Sequence, residues 1–130
     1  MKVVLDTNII VSALLSPKGL PAKILNFVLN GNLKIVYDNN ILSEYIDVLG
    51  RKSLKINPEL ASIVLEFIKK DGEFKIALPQ AKHFNDEDDK KFYELFKSGN
   101  VDYLITGNKK HFPNEKGIVT ASEFINIEFS

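Results

Sequence analysis

An α/β layer fold with a mainly parallel sheet follows from the pattern of the chain. Short apolar runs rich in β-branched residues, such as Val3 to Leu5, Leu33 to Tyr37 and Val101 to Ile105, alternate with helical stripes such as Ile24, Leu25, Val28 and Leu29. Polar, proline or glycine turns separate the two kinds of segment, and no linker, repeat or low-complexity tract interrupts them. Residues 1–130 therefore read as one domain.

Each element has its own local reason. Val3 to Leu5 is a continuous apolar run that suits a strand buried on both faces. Asn8 to Leu15 reads as a short helix stopped at Ser16-Pro17-Lys18-Gly19. Pro21 sits where a first helical turn tolerates it, and the stripe that follows ends at Asn30-Gly31. After the Leu33 to Tyr37 strand, Asp38-Asn39-Asn40 supplies caps for a helix carrying Ile41, Leu42, Tyr45, Ile46 and Leu49, which Gly50 closes. Pro58 opens a helix running through Lys70, and Asp71-Gly72 ends it. Phe74 to Leu78 reads as a short strand or extended edge. Acidic residues Asp86 to Asp89 begin a helix to Ser98, and Gly99-Asn100 turns into Val101 to Ile105. A last short strand at Ile118-Val119 and a short helix around Ala121 to Ile125 complete the chain.

Composition narrows the chemistry. With 130 residues, 45% of them hydrophobic, the chain can bury one ordinary core. It has no cysteine, so disulfides, thiolate zinc sites and thiol nucleophiles are excluded, and His83 and His111 are too few for a histidine cage. Any metal would sit on oxygen. Seventeen Lys+Arg against 17 Asp+Glu argues against coating nucleic acid or anionic membrane by bulk charge, while leaving room for a local groove. Asp6 cuts the N-terminal apolar run too early for a signal peptide, and nothing approaches the ~20 apolar residues of a membrane span. The expectation is a soluble cytoplasmic protein without a membrane partner.

The acids carry the functional signal. Ligands of parallel sheets bind beyond the carboxyl ends of the strands, and Asp6 stands at that end of the first one. Either it caps the following helix, or Thr7 or Asn8 supplies the cap and Asp6 is free for other work. Glu44 lies at the margin of its helix's apolar stripe and by itself reads as surface. Asp89 falls in register with Phe92, Tyr93 and Phe96 and so points inward. The acids at 86 to 89 exceed what capping needs, and their mutual repulsion calls for a cation. Thr106 and Asn108 emerge at the same sheet end as Asp6 if the two strands are parallel, although Thr-Gly-Asn is also ordinary turn chemistry. The pairs Lys90-Lys91 and Lys109-Lys110 read either as contacts to flanking phosphates or as solvated surface. His111 reads as a turn or packing residue, with a general-acid role as the alternative.

Taken in order, Val-Val-Leu-Asp6-Thr7-Asn8-Ile, Ser-Glu44-Tyr, Asp86-Glu-Asp-Asp89-Lys-Lys-Phe and Asp102-Tyr-Leu-Ile-Thr106-Gly-Asn108-Lys-Lys-His-Phe resemble the markers of the PIN-domain family. These are small metal-dependent ribonucleases, and the likeness is particularly to the toxins of toxin-antitoxin modules. The resemblance spans nearly the whole chain and implies a three-layer α/β/α fold with a central, mainly parallel sheet. It implies that Asp6, Glu44 and Asp89 bind Mg2+ or Mn2+ for hydrolysis of RNA, with Thr106 as the hydroxyl residue of the same site. Asn108 stands where the family usually has Asp, which implies a poorer hold on a second cation and weakened activity. The alternative it leaves open is a catalytically impaired relative that binds RNA or a protein. It further implies an antitoxin partner and a homodimer. A phosphoacceptor module would want an acidic pair at the first strand, and a haloacid-dehalogenase-like phosphatase an Asp in place of Asn8. Neither is present.

Overall fold

The computed structural model describes residues 1–129. In chain order these form β1 (Lys2–Leu5), α1 (Thr7–Leu15), α2 (Leu20–Leu29), β2 (Lys34–Tyr37), α3 (Asn39–Leu49), α4 (Pro58–Asp71), β3 (Glu73–Phe74), α5 (Glu87–Ser98), β4 (Tyr103–Ile105), β5 (Ile118–Val119) and α6 (Ala121–Phe129). Single 3-10 turns at Lys52–Leu54 and Lys109–His111 complete the assignment. The strands lie in the order β3-β2-β1-β4-β5, and every neighbouring pair is parallel. With helices packed on the sheet, the architecture is the expected three-layer α/β/α arrangement.

β1 is central because three consecutive residues, Val3, Val4 and Leu5, are each 0% exposed, so both of its faces are covered. Its register sets Val3, Val4 and Leu5 beside Tyr103, Leu104 and Ile105 of β4, while Lys2 and Val3 pair with Lys34 and Ile35 of β2. Helix starts follow from local chemistry. The Asp38 carboxylate accepts from the Ile41 amide at 2.8 Å, Asn57 accepts from Glu59 and Leu60, and Asp86 accepts from Asp88 at 2.9 Å.

The structure shortens or lengthens several elements for visible reasons. The expected strand from Phe74 stops at that residue: the Lys75 amide still donates to the Tyr37 carbonyl of β2 at 2.9 Å, but further amides turn towards α5. Leu78 donates to Ser98 Oγ at 3.0 Å and Gln80 to Glu94 Oε2 at 2.9 Å, so no ladder continues. β4 starts at Tyr103 rather than Val101, since the Asp102 carboxylate is occupied by the Lys2 amide at 2.8 Å. The last helix outruns Ile125 because Phe129 has a ring to reach: it stacks on Phe27 at 4.1 Å and meets Phe124 at 5.7 Å.

One polar contact ties α3 to the centre of the sheet. Tyr45 is fully buried, and its hydroxyl donates to the Leu5 carbonyl at 2.5 Å. Removing the hydroxyl leaves that acceptor dry. Tyr45→Phe is expected to lower unfolding free energy by about 1–3 kcal/mol, read as a lower urea midpoint at unchanged slope; an unshifted midpoint would show that α3 is held by packing alone.

Candidate active site

The pairing of Leu5 with Ile105 brings the next residue of each strand, Asp6 and Thr106, side by side. The Asp6 amide donates to the Ile105 carbonyl at 3.0 Å, and Thr106 Oγ1 donates to Asp6 Oδ2 at 2.7 Å. Thr106 is 0% exposed and Asp6 is 6% exposed. Asp6 occupies the N-cap position of α1, yet its side chain makes no cap hydrogen bond. The Asn8 amide at the start of α1 nonetheless acts on this carboxylate, opposing the effect of burial on it.

Thr7 and Asn8 do not take over the cap, because their side chains reach across to other elements. The Thr7 hydroxyl donates to Glu44 Oε2, and Asn8 Oδ1 accepts from the Gly107 amide at 3.1 Å. This second bond closes the β4 turn onto α1. Gly107 suits the approach, since a Cβ there would stand 3.3 Å from Asn8 Oδ1.

Glu44 comes from α3 and is half-buried rather than a free surface acid. Thr7 holds one of its oxygens and Lys91 Nζ the other at 2.6 Å. Asp89, on the first turn of α5, points inward as its stripe predicts, and faces His111 with Oδ2 3.5 Å from Nδ1. Asn108 is exposed. Its amide donates to Thr106 Oγ1 at 3.0 Å, while its side chain has no hydrogen bond among the described residues. The β4 turn thus brings Asn108 to the rim through its backbone and not through its amide group.

Electrostatics link the acids. Burial pushes the Asp6 carboxyl from 3.8 up to about 6, against the pull of the Thr106 hydrogen bond, and the negative charges of Asp89 and Glu44 add to the rise. Burial also raises the Asp89 carboxyl, with Asp86 reinforcing and His111 opposing. Asp6 therefore feels the charges of both Glu44 and Asp89, from α3 and α5. An ion with hard oxygen preferences would relieve that repulsion, and the donor chemistry fits Mg2+ or Mn2+. The arrangement is nonetheless not a closed cage: among the described residues, no three His, Asp or Glu side chains cluster as a ready metal site. Glu44 and Asp89 have partners in Lys91 and His111 that an ion would have to share or displace.

Two open cavities adjoin these residues. One of about 600 Å3 runs between α3 and α5, lined by Ser43, Glu44, Asp47, Glu87 and Lys91 among others. Another of about 580 Å3 is lined by Asn8, Ser12, Thr106, Asn108, Thr120 and Ser122. The second has no acidic lining and suits a polyanion better.

Several contributors were not legible in the chain. The sequence offers Thr7 as a cap, Lys91 as a phosphate-flanking or surface lysine, and His111 as a turn or packing residue with a general-acid role as the alternative, yet they contact Glu44 and Asp89. The other lysines lie differently. Lys109 is committed to Glu123 at 3.0 Å, and Lys110 is exposed.

A PIN domain family model matches residues 2–110. An uncharacterized protein of Methanocaldococcus jannaschii is 30% identical over 118 residues, which cover 84% of this chain and 72% of that protein. No solved structure matches at a significant level.

The raised Asp6 carboxyl makes stability depend on pH. Between pH 3.8 and about 6 the folded chain holds the Asp6 proton more firmly than the unfolded chain, so stability is present below that window and is lost as pH rises through it. Without divalent ions, Asp6→Asn is expected to be more stable than the parent at pH 8, by at most about 3 kcal/mol. The gain should shrink towards zero at pH 4. Urea titrations in chelator at both pH values test this, and an equal difference at the two would contradict it.

Proposed function

The chain belongs to the PIN-domain family, a family of nucleases, and from that premise we propose that residues 1–130 act as one Mg2+- or Mn2+-dependent endoribonuclease domain, the toxin of a toxin-antitoxin module in the cytoplasm. The observation that carries this is Asp6: a buried carboxylate held by Thr106 and made basic by burial together with Asp89 and Glu44. Perturbed carboxylates at strand ends of this kind mark functional sites.

Asp6 and Asp89 would be the principal metal ligands, with Glu44 as a further ligand or as the group that orients water. A divalent ion bound there would polarise the scissile phosphate and make a water molecule more acidic. The chain's own residues do the positioning. Thr106 fixes the orientation of Asp6 by donating to Oδ2. Thr7 and Lys91 between them hold the two oxygens of Glu44, so an ion would share or displace one of them. RNA would lie along the cavity beside Thr106 and Asn108, with exposed Lys110, two residues on, as a candidate phosphate contact outside that lining. Exposed Leu20, Leu60 and Ile63 on α2 and α4 supply apolar surface for an antitoxin or for a second copy. Among the described residues, no helix is long and apolar enough to cross a membrane.

Asn108 favours a second reading. Its exposed side chain adds no negative charge, which suits a catalytically impaired relative that binds RNA or a protein.

Cleavage of RNA with and without Mn2+ separates the two. For a nuclease, Asp6→Asn is expected to reduce Mn2+-dependent cleavage by roughly a hundredfold or more, the scale on which loss of one electrostatic partner acts. Asn108→Asp should raise it. Cleavage that survives Asp6→Asn undiminished would sink the proposal, and RNA binding without cleavage by the parent or by Asn108→Asp would favour the second reading.

A further inference from the structure

Between the end of α3 and the start of α4 the protein leaves an open trough of about 470 Å3, floored by Ile46, Leu49, Ile56, Ala61 and Leu65. Ile46 is 48% exposed there, although Ile41, Tyr45 and Leu49 of the same helix are buried. None of Asp6, Glu44, Asp89 and Thr106 lines it. The rim is basic. Arg51, Lys52, Lys55 and Lys69 stand around the trough with Glu66, and once Asp47 is added as the partner of Arg51, four positive charges face two negative ones. The surplus is two, in a chain whose net charge is zero. The other charged residues of α4, Glu59, Lys70 and Asp71, lie outside the lining. Arg51 pairs with Asp47 at 3.0 Å and Lys69 with Glu66 at 2.8 Å, all four exposed, whereas Lys52 and Lys55 have no side-chain hydrogen bond or ion pair among the described residues.

Lys55 stands there at a cost. It closes the 3-10 turn Lys52–Leu54, its amide donating to the Lys52 carbonyl at 3.2 Å, with φ at 57°, a left-handed conformation that Gly or Asn adopts with less strain. We propose that the trough takes an amphipathic helix of a partner protein, apolar on one face and flanked by acidic residues. The basic surplus selects the acidic flanks, because an acidic partner meets Lys52 and Lys55 without breaking a pair. The floor selects a helix: Ile46 and Leu49 on α3 and Ala61 and Leu65 on α4 are spaced three and four apart, the ridges into which a third helix packs, and the small Ala61 leaves room for an apolar side chain. No aromatic ring lines the trough to stack a nucleobase, which separates it from a surface for single-stranded RNA. The proposal needs nothing from the metal-dependent reading, and its surface is not that of Leu20, Leu60 and Ile63.

Fluorescence anisotropy of two labelled helical peptides tests this without any activity. Both carry leucine at i, i+3, i+4 and i+7, and one has glutamate and the other lysine at the flanking positions. The glutamate peptide is expected to bind in the micromolar range, less tightly as salt is added, and the lysine peptide roughly tenfold more weakly. Lys52→Gln combined with Lys55→Asn is expected to weaken the glutamate peptide by about tenfold. The same variant should keep its urea midpoint or raise it, since Asn accepts the left-handed backbone, and a merely structural Lys55 would not separate the two readouts. Ser62→Phe, at an exposed position of the lining, fills the trough and should abolish binding, with circular dichroism checking the fold. If it does not fold, Ile46→Glu takes its place, setting a like charge against the peptide. Binding of neither peptide, equal binding of both, or binding unchanged in these variants overturns the proposal. A uridine oligonucleotide that displaces the peptide, and is itself weakened by the lysine substitutions, assigns the rim to RNA and overturns it as well.

Discussion

The burial of the Asp6 carboxylate at the carboxyl end of the central strand is the constraint on which the rest of the site depends. A charge so far removed from water must be hydrogen-bonded, paired or protonated. The parallel pairing of β1 with β4 supplies the first of these by setting the Thr106 hydroxyl against it. The pull towards the third shows in its raised carboxyl. Each neighbour solves part of the same problem: Tyr45 clamps α3 to the last residue of β1, Thr7 anchors Glu44, and Lys91 offsets charge from α5. The acids are held near one another by elements whose apolar faces are already committed to the sheet.

That division of labour explains why the site is at once rigid and electrostatically unsatisfied. The backbone around Asp6 is fixed by strand pairing and by the start of α1, where the Ile9 amide donates to the Asp6 carbonyl at 2.9 Å. The carboxylates have less freedom to relax their repulsion by moving apart than surface acids would. Excess negative charge is therefore built in, and only cations, from inside or outside the chain, reduce it.

Much of this was legible in the chain because it depends on short-range patterns. Unbroken apolar runs marked the central strands, Asp89 in register with Phe92 and Tyr93 gave its inward direction, and Asp38 and Asp86 capped as their positions suggested. What was not legible depends on contacts between elements. Glu44 looked like surface because the stripe margin says nothing about Thr7 or Lys91, which come from other helices. The early end of β3 depends on Ser98 and Glu94 drawing amides away, and the extra length of α6 on Phe27. Periodicity reads a residue's own element, whereas partners across the fold are set by topology.

The sequence distance between Asp6 and Thr106 bears on how the molecule comes into being. Their side chains meet across 100 positions, so β1 leaves the ribosome long before the strand that completes it. Pairings this remote close late and slow folding. Asp6 must therefore wait, solvated and without its hydroxyl partner, until most of the chain has been made. A growing chain lacks the assembled carboxylate pocket throughout that interval, which separates its synthesis in time from any chemistry the pocket performs on RNA around it.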